Sequence, residues 1–504
     1  MRLLTALVVL AATASSARDV PVGDMAALRT ALSGAQPGDV ITIANGTYTS
    51  SADFSCSANG TAQQPIVVKA ATQFGVTIES SSTEGFKVSG KHWHFEGLVM
   101  RGTCASDGNC EHAFHVSGDA DGFTLRGNRL VDFNAQLKAN AGQVSGVWQT
   151  PDDCLIEGND LYDSRPRDTG NPTTKLNIDT GDDWVVRSNF IHDFQKGGGD
   201  TVSYGAFMKS GGNRGVFERN LVICQTQGGH AGGARIGLSF GGGGTGNAFC
   251  APAFNANTPC DVEHTDGVLR NNIVVNCSDV AVYLNEATNT KVLHNTFIGT
   301  NGVDYRFATS TGLAQGNLLA SVVRARNGGM FTGMQNVTGV SAATFDGYYV
   351  EPLAGDLRIE GDVSALNGVV TAVTEVTDDY CGRARPSGAR TVGALEHSLG
   401  GCATVWTSLQ PVGGGGGSVD DAGVMGGGAG STGGGAGATG GGVGSTGGGS
   451  GATGGGSEVA DAGLTGGGEG GGEPEPATGC GCVSADSTVL FALLALGIRR
   501  TKRT

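Results

Sequence analysis

Five short β-prone segments hold most of the side chains able to do chemistry: TKLNIDT (ending at Thr180), GAFMKSG (Gly205–Gly211), ARIGLSFG (Ala234–Gly241), VAVYLNE (Val280–Glu286) and VDYRFAT (Val303–Thr309). Strand alternation sends Leu176, Ile178, Ala206, Met208, Ile236, Leu238, Phe240, Val282 and Leu284 to one face. The opposite face then receives Asn177, Asp179, Phe207, Lys209, Arg235, Ser239, Tyr283 and Asn285. Stacked about 4.8 Å apart, such strands would bring Asp179, Lys209 and Asn285 into one polar ladder. Arg306 breaks the alternation, and its direction stays open. A face of this kind offers cations to an acidic ligand and amide or carboxylate oxygens to a sugar or a metal ion. The plain alternative for Lys209 is a surface lysine in a cross-strand ion pair. His230, within GGHAGG, and His264 are placed at the edge of the same groove.

The elements that would position these residues repeat. FTLRGNRLVDF, CLIEGNDLYDS, WVVRSNFIHDF, GVFERNLVICQ, GVLRNNIVVNC, TKVLHNTFIGT and GLAQGNLLAS share an asparagine flanked by β-formers, at Asn128, Asn159, Asn189, Asn220, Asn272, Asn295 and Asn317. Their separations are 31, 30, 31, 52, 23 and 22 residues, which suit coils of a β-solenoid with loops of varying length. The 52 is one coil carrying an insertion, or two coils. An asparagine at each bend tolerates left-handed geometry and can hydrogen-bond into the turn. Met25–Leu32, after Asp24, reads as an amphipathic helix suited to plugging the N-terminal end of the stack. The fold class expected is all-β, a parallel β-helix with an N-terminal capping helix.

GDVITIANGTY (Gly38–Tyr48), GTAQQPIVVKA (Gly60–Ala70), the strand around Phe95–Met100 and MKSGGNRGVFERN (Met208–Asn220) resemble the polysaccharide lyases of the chondroitinase-B and alginate-lyase type. The resemblance spans roughly Val22–Glu396, with Gly355–Val369 and Gly382–Glu396 resembling a closing coil. It implies a right-handed parallel β-helix acting on uronic-acid polymers by β-elimination. In such a step a base takes the C5 proton while cations neutralise the adjacent carboxylate. By the same resemblance Lys209 matches the catalytic lysine. The family's Arg-His pair falls on LSFGGGG, where only Arg235 is near, roughly 7–13 Å along the strand from Lys209. Calcium is implied as cofactor, but the family's two glutamates are replaced by DTVSYGAF, leaving Asn177 and Asp179 as candidate ligands. Asp179 beside Lys209 would hold the lysine charged unless another cation intervenes. Asn177, Asp179, Asn285, Arg306 and His230 are the expected substrate contacts. The alternatives are a non-catalytic glycan-binding or structural surface protein and, more weakly, a glycosidase or uronate epimerase.

Other motifs carry less. Asp182-Asp183 resembles a pectin-hydrolase carboxylate pair without its companion motifs, and Gly241–Gly244 lacks the Lys-Ser/Thr of a phosphate loop. With a net charge of −15 nothing points to nucleic acid, and long-range attraction of polyanions is disfavoured unless a local Lys/Arg patch overrides it.

The whole chain divides into four parts. Residues 1–17 read as a signal peptide, 18–410 as the β-helix, 411–479 as a disordered glycine-rich linker, and 480–504 as a Cys motif, apolar segment and basic end. The last resembles the sorting tails of myxobacterial surface proteins, implying membrane association at the cell surface through Cys480 or Cys482. Export accounts for the 12 cysteines. Cys104/Cys110, Cys250/Cys260 and Cys381/Cys402 are expected to pair locally, while Cys56, Cys154, Cys224 and Cys277 are left undecided. The expected partner is an extracellular polysaccharide, and the expected state is a monomer.

Overall fold

The computed structural model describes residues 18–226, 232–242, 250–252, 254 and 260–406. The segments expected to be a signal peptide, linker and sorting tail, and His230, lie outside the described residues. Among the described residues no helix is long and apolar enough to cross a membrane.

Three long parallel sheets, one of 12 strands and two of 10, wind as a right-handed β-helix around one apolar core. Each complete coil contributes one strand to each sheet, and the 12-stranded sheet gains one further strand at either end. The sheet containing Thr173–Asp179 and Val202–Lys209 is called here the front sheet; the second 10-stranded sheet, containing Leu221–Ile223 and Ile273–Val275, is the side sheet. Phenylalanines stack from coil to coil inside the helix, Phe54 on Phe86 at 4.9 Å and Phe86 on Phe114 at 5.2 Å. The helix Met25–Ser33, capped by the Asp24 carboxylate accepting from the Ala27 N–H, buries Leu28 and Leu32 against the N-terminal end of this core.

The repeated asparagines form one continuous column, every one of the seven fully buried. The Oδ1 of Asn159 accepts from both the backbone N–H (2.9 Å) and the Nδ2 (3.1 Å) of Asn128, and the pattern recurs from Asn159 to Asn189 and onward. Asn336, outside the repeat as read, extends the column from Asn317. The left-handed residue is not the asparagine but the one before it: Gly127, Gly158, Ser188, Arg219, Asn271, His294, Gly316 and Gln335 all have positive φ. The bend needs that geometry one residue earlier, so the asparagine is free to satisfy buried backbone groups. The 52-residue interval is one coil with an insertion, since Val216–Glu218 pairs directly with Val268–Arg270.

Residues beyond Val337 do not form a final coil as expected. They fold back along the outside of the side sheet, burying Leu357, Val370, Val392 and Leu395 against Leu221, Ile223, Ile273 and Val275. The side sheet is therefore apolar on both surfaces, which explains its unbroken β-former runs. The three local disulfides are present, a fourth joins Cys224 to Cys277 on successive coils, and Cys56 and Cys154 are free and buried.

Candidate functional site

The outer surface of the front sheet is built by an irregularity that simple alternation misses. Its strands turn two successive residues inward: Ala113 and Phe114, Gly205 and Ala206, Ala281 and Val282. The first of each pair is small because a side chain there would meet core atoms, as a Cβ on Gly205 would meet Phe194 and Val222 and one on Gly237 would meet Val274. Residues three apart consequently share the outer face.

This slip corrects two assignments. Ile236 lies on the outer side, clustered with Tyr204, Phe207, Val280 and Tyr283, not in the core. Arg235 turns away from the groove. It pairs in register with Ser203, and Lys209 lies six residues further along, roughly 20 Å away. Arg235 is buried and lines a separate pocket of about 710 Å³ with Tyr162, Phe190, His192, Asp193 and Trp406. It is not a partner of Lys209. His264 likewise leaves the groove: it is buried, stacked on Phe240 at 4.2 Å.

Lys209 and Asp179 do meet. They pair in register on adjacent coils, with Lys209 Nζ 2.9 Å from Asp179 Oδ1. Lys209 is only 1% exposed, and a side chain on Gly242 would collide with its stem. The turn at Gly241–Gly242 therefore lies over it, and it is not a surface lysine. Asn285 holds that turn by donating Nδ2–H to the Gly242 carbonyl, so it acts on the loop and is itself buried. Arg306 points outward, donating to the Tyr283 hydroxyl at 2.6 Å.

A residue the sequence reading missed completes the centre. Lys138, on the coil before Asp179, binds the other carboxylate oxygen and donates to Asn177 Oδ1 at 3.0 Å. Its strand, Ala135–Asn140, is followed by the hairpin Gly142–Gln149, which lengthens the path to Asn159 and hides the usual spacing. The centre is thus one carboxylate between two ammonium groups. Burial raises the Asp179 carboxyl, but Lys138 and Lys209 outweigh it and bring it down to about 2. Burial pushes Lys209 below the ordinary lysine range; Asp179 opposes this and Lys138 adds to it. Asp179 and Asn177 do not fit calcium. Their oxygens already face ammonium groups, and a divalent cation needing six to eight oxygens would sit against two positive charges.

Towards the N-terminus the face continues through Asn140, His115, His112, Glu84 and Lys87. Towards the C-terminus it ends in Arg324 and Arg326, both paired with the buried Asp304. A local run of Lys and Arg therefore crosses a chain whose net charge is −15.

Residues 22–142 match the family model of chondroitinase B. The pectate lyase Pel9A superposes with a TM-score of 0.53 at 15% identity, over 76% of this chain and 97% of its own. The fold is the pectate-lyase-like parallel β-helix. An alginate lyase from Paenibacillus sp. (TM-score 0.36, 16% identity, 62% and 99% coverage) and a rhamnogalacturonan lyase (0.38, 13%, 74% and 92%) align more loosely. No curated protein sequence matches the chain. The chain thus shares the parallel β-helix fold of the pectate lyase at distant sequence identity.

Proposed function

We propose that this chain is a divergent polysaccharide lyase that takes a uronate polymer along the outer face of the front sheet. The observation that carries the reading is Lys138. A lysine paired one-to-one with an aspartate stays charged and cannot act as a base. Here Lys138 satisfies Asp179, so Lys209, buried and repelled by Lys138, is the ammonium group that gives up its proton most readily and can then act as the base. The division of labour follows. Lys138, more exposed than Lys209 at 18% against 1%, hydrogen-bonds the uronate carboxylate with the N–H not taken by Asp179 and Asn177. Lys209 takes the C5 proton as the C4–C5 double bond forms and the C4–O bond breaks, then returns that proton to the departing oxygen. Asn177 orients Lys138, and substrate must displace the turn at Gly241–Gly242 to reach Lys209.

A second reading, glycan binding without turnover, is favoured by that same covered lysine. Incubation with a panel of uronate polymers, read by ultraviolet absorbance of the unsaturated product, separates the two. The lyase reading expects product, with Lys209→Met lowering kcat at least ~100-fold and Lys138→Ala lowering kcat as well, because it leaves Lys209 paired one-to-one with Asp179. Polymer retardation on an affinity gel without product would support the binding reading. Within either reading, export and display at the cell surface through the C-terminal tail, as a monomer, complete the proposal.

A further inference from the structure

Glu84, His112 and His115 converge on the outer face of the front sheet, the histidines two coils and the glutamate three coils before Asp179. Glu84 belongs to the strand Glu84–Val88, and both histidines to the next, His112–Ser117, in register with it. The histidines share a face because Ala113 and Phe114 between them both turn inward. The Nδ1 atoms of His112 and His115 lie 3.4 and 2.6 Å from the same oxygen, Glu84 Oε1.

The surroundings fix which ring nitrogen of His115 carries hydrogen. Asn140 donates Nδ2–H to the Ala141 carbonyl at 2.7 Å, so its Oδ1 faces His115 Nε2, also at 2.7 Å. Nε2 must therefore donate. In the neutral ring Nδ1 is then a bare lone pair aimed at a carboxylate oxygen, two acceptors in contact. A cation between them removes the conflict. The other Glu84 oxygen is held by Lys87 Nζ at 3.2 Å, leaving Oε1 to bind alone. Supporting hydrogen bonds of this kind, a carbonyl on the far nitrogen of a ligating histidine and a donor on the far oxygen of a ligating carboxylate, are what orient metal ligands.

We propose that Glu84, His112 and His115 form a binding site for a divalent transition metal of the zinc type. Two imidazoles and one carboxylate select such an ion over calcium or magnesium. With bonds of about 2.0–2.1 Å, a tetrahedral ion holds its ligand atoms roughly 3.3 Å apart. The Glu84–His112 spacing already matches, and the Glu84–His115 spacing needs to open by less than ~1 Å. The three side chains are 18%, 20% and 23% exposed, which leaves a fourth position open to water or ligand. His115 pairs in register with Lys138, so the ion would stand beside the lysine assigned above to the uronate carboxylate. Metal binding itself does not depend on that assignment. The rival account is an imidazolium–carboxylate pair with no metal.

The test is cobalt(II) titration of the tag-free full-length chain after chelator treatment, followed by the visible d–d absorption of tetrahedral cobalt. The site predicts one equivalent bound, displaced by zinc. His115→Ala, with an unchanged far-UV spectrum, should weaken binding at least ~100-fold and Asn140→Leu, which removes the supporting carbonyl together with the amide bond to Ala141, by about 10–100-fold. Absence of a tetrahedral cobalt spectrum in the wild-type chain, or an unchanged spectrum in the His112→Ala/His115→Ala double variant, would overturn the proposal. Because no turnover is read, a failed lyase assay leaves this result standing, and the reverse holds too.

Discussion

Replacing Asp179 should harm the protein far more than replacing either lysine it holds. Asp179→Asn keeps the shape but leaves the Lys138 and Lys209 ammonium groups facing a neutral amide, Lys209 being 1% exposed. Removing the counter-charge of a buried pair typically costs about 3–5 kcal/mol. Lys209→Met instead retains a similar stem and leaves Asp179 paired with Lys138, so the loss should stay below about 2 kcal/mol. The pH dependence has a definite sign. The Asp179 carboxyl is lowered from 3.8 to about 2 in the folded chain, so its contribution is full above pH ~4 and is lost as pH falls towards 2. That difference corresponds to about 2–3 kcal/mol. Hydrogen exchange of the backbone amides in Thr173–Asp179 and Val202–Lys209 reads the local opening free energy, which suits a solenoid whose coils contact only neighbours. The expected order is wild type, then Lys209→Met, then Asp179→Asn, with the gap to Asp179→Asn closing at low pH. Equal protection in Asp179→Asn and wild type at pH 7, or a larger loss in Lys209→Met, would refute the reasoning.

Asn220→Ala deprives the backbone N–H and Nδ2 of Asn189 of their shared acceptor in a fully buried column, and should cost about 2–4 kcal/mol by urea denaturation. Arg235→Ala should leave turnover on uronate polymers unchanged, because Arg235 lines the pocket with Trp406 and not the groove; a large fall in kcat would restore it to the site. A chain ending at Gln410 should be found in the medium instead of on the cell, as assayed by surface labelling. The same truncated chain, oxidised, should show two thiols on unfolding, Cys56 and Cys154, and none when folded.

The coils were legible because their asparagines recur with matching flanks, and burial makes each asparagine costly to vary. The capping helix was legible from Asp24 and the spacing of Leu28 and Leu32. What escaped depended on a local phase shift. Period-two reading places His112 and His115 on opposite faces, and Arg235 on the groove; the paired inward residues Ala113-Phe114 and Gly237-Leu238 reverse both. Lys138 escaped because a hairpin separates its strand from the asparagine used to find the others. The burial of Lys209 depends on Gly242, a residue of the next coil, and no pattern around Lys209 itself announces it. The C-terminal segment resembled a coil because its strands have ordinary β composition, but its apolar residues match a sheet surface already waiting at Leu221 and Ile273.

The asparagine column has a polarity. Each side chain presents its oxygen to the coil before it and its backbone N–H and one amide hydrogen to the coil after it. A growing stack therefore always ends in two donors awaiting one oxygen, and each incoming coil supplies that oxygen. Coils bearing the asparagine can be duplicated or lost in evolution without retooling the junction, since each presents the same groups to its neighbours. A coil lacking it still offers a backbone N–H to the oxygen ahead, as Leu98 does to Asn128, but leaves the two donors of the coil behind it without their shared oxygen. From Asn128 to Asn336 the column thus works as a key repeated at each joint, one that accommodates an insertion as long as that before Val268.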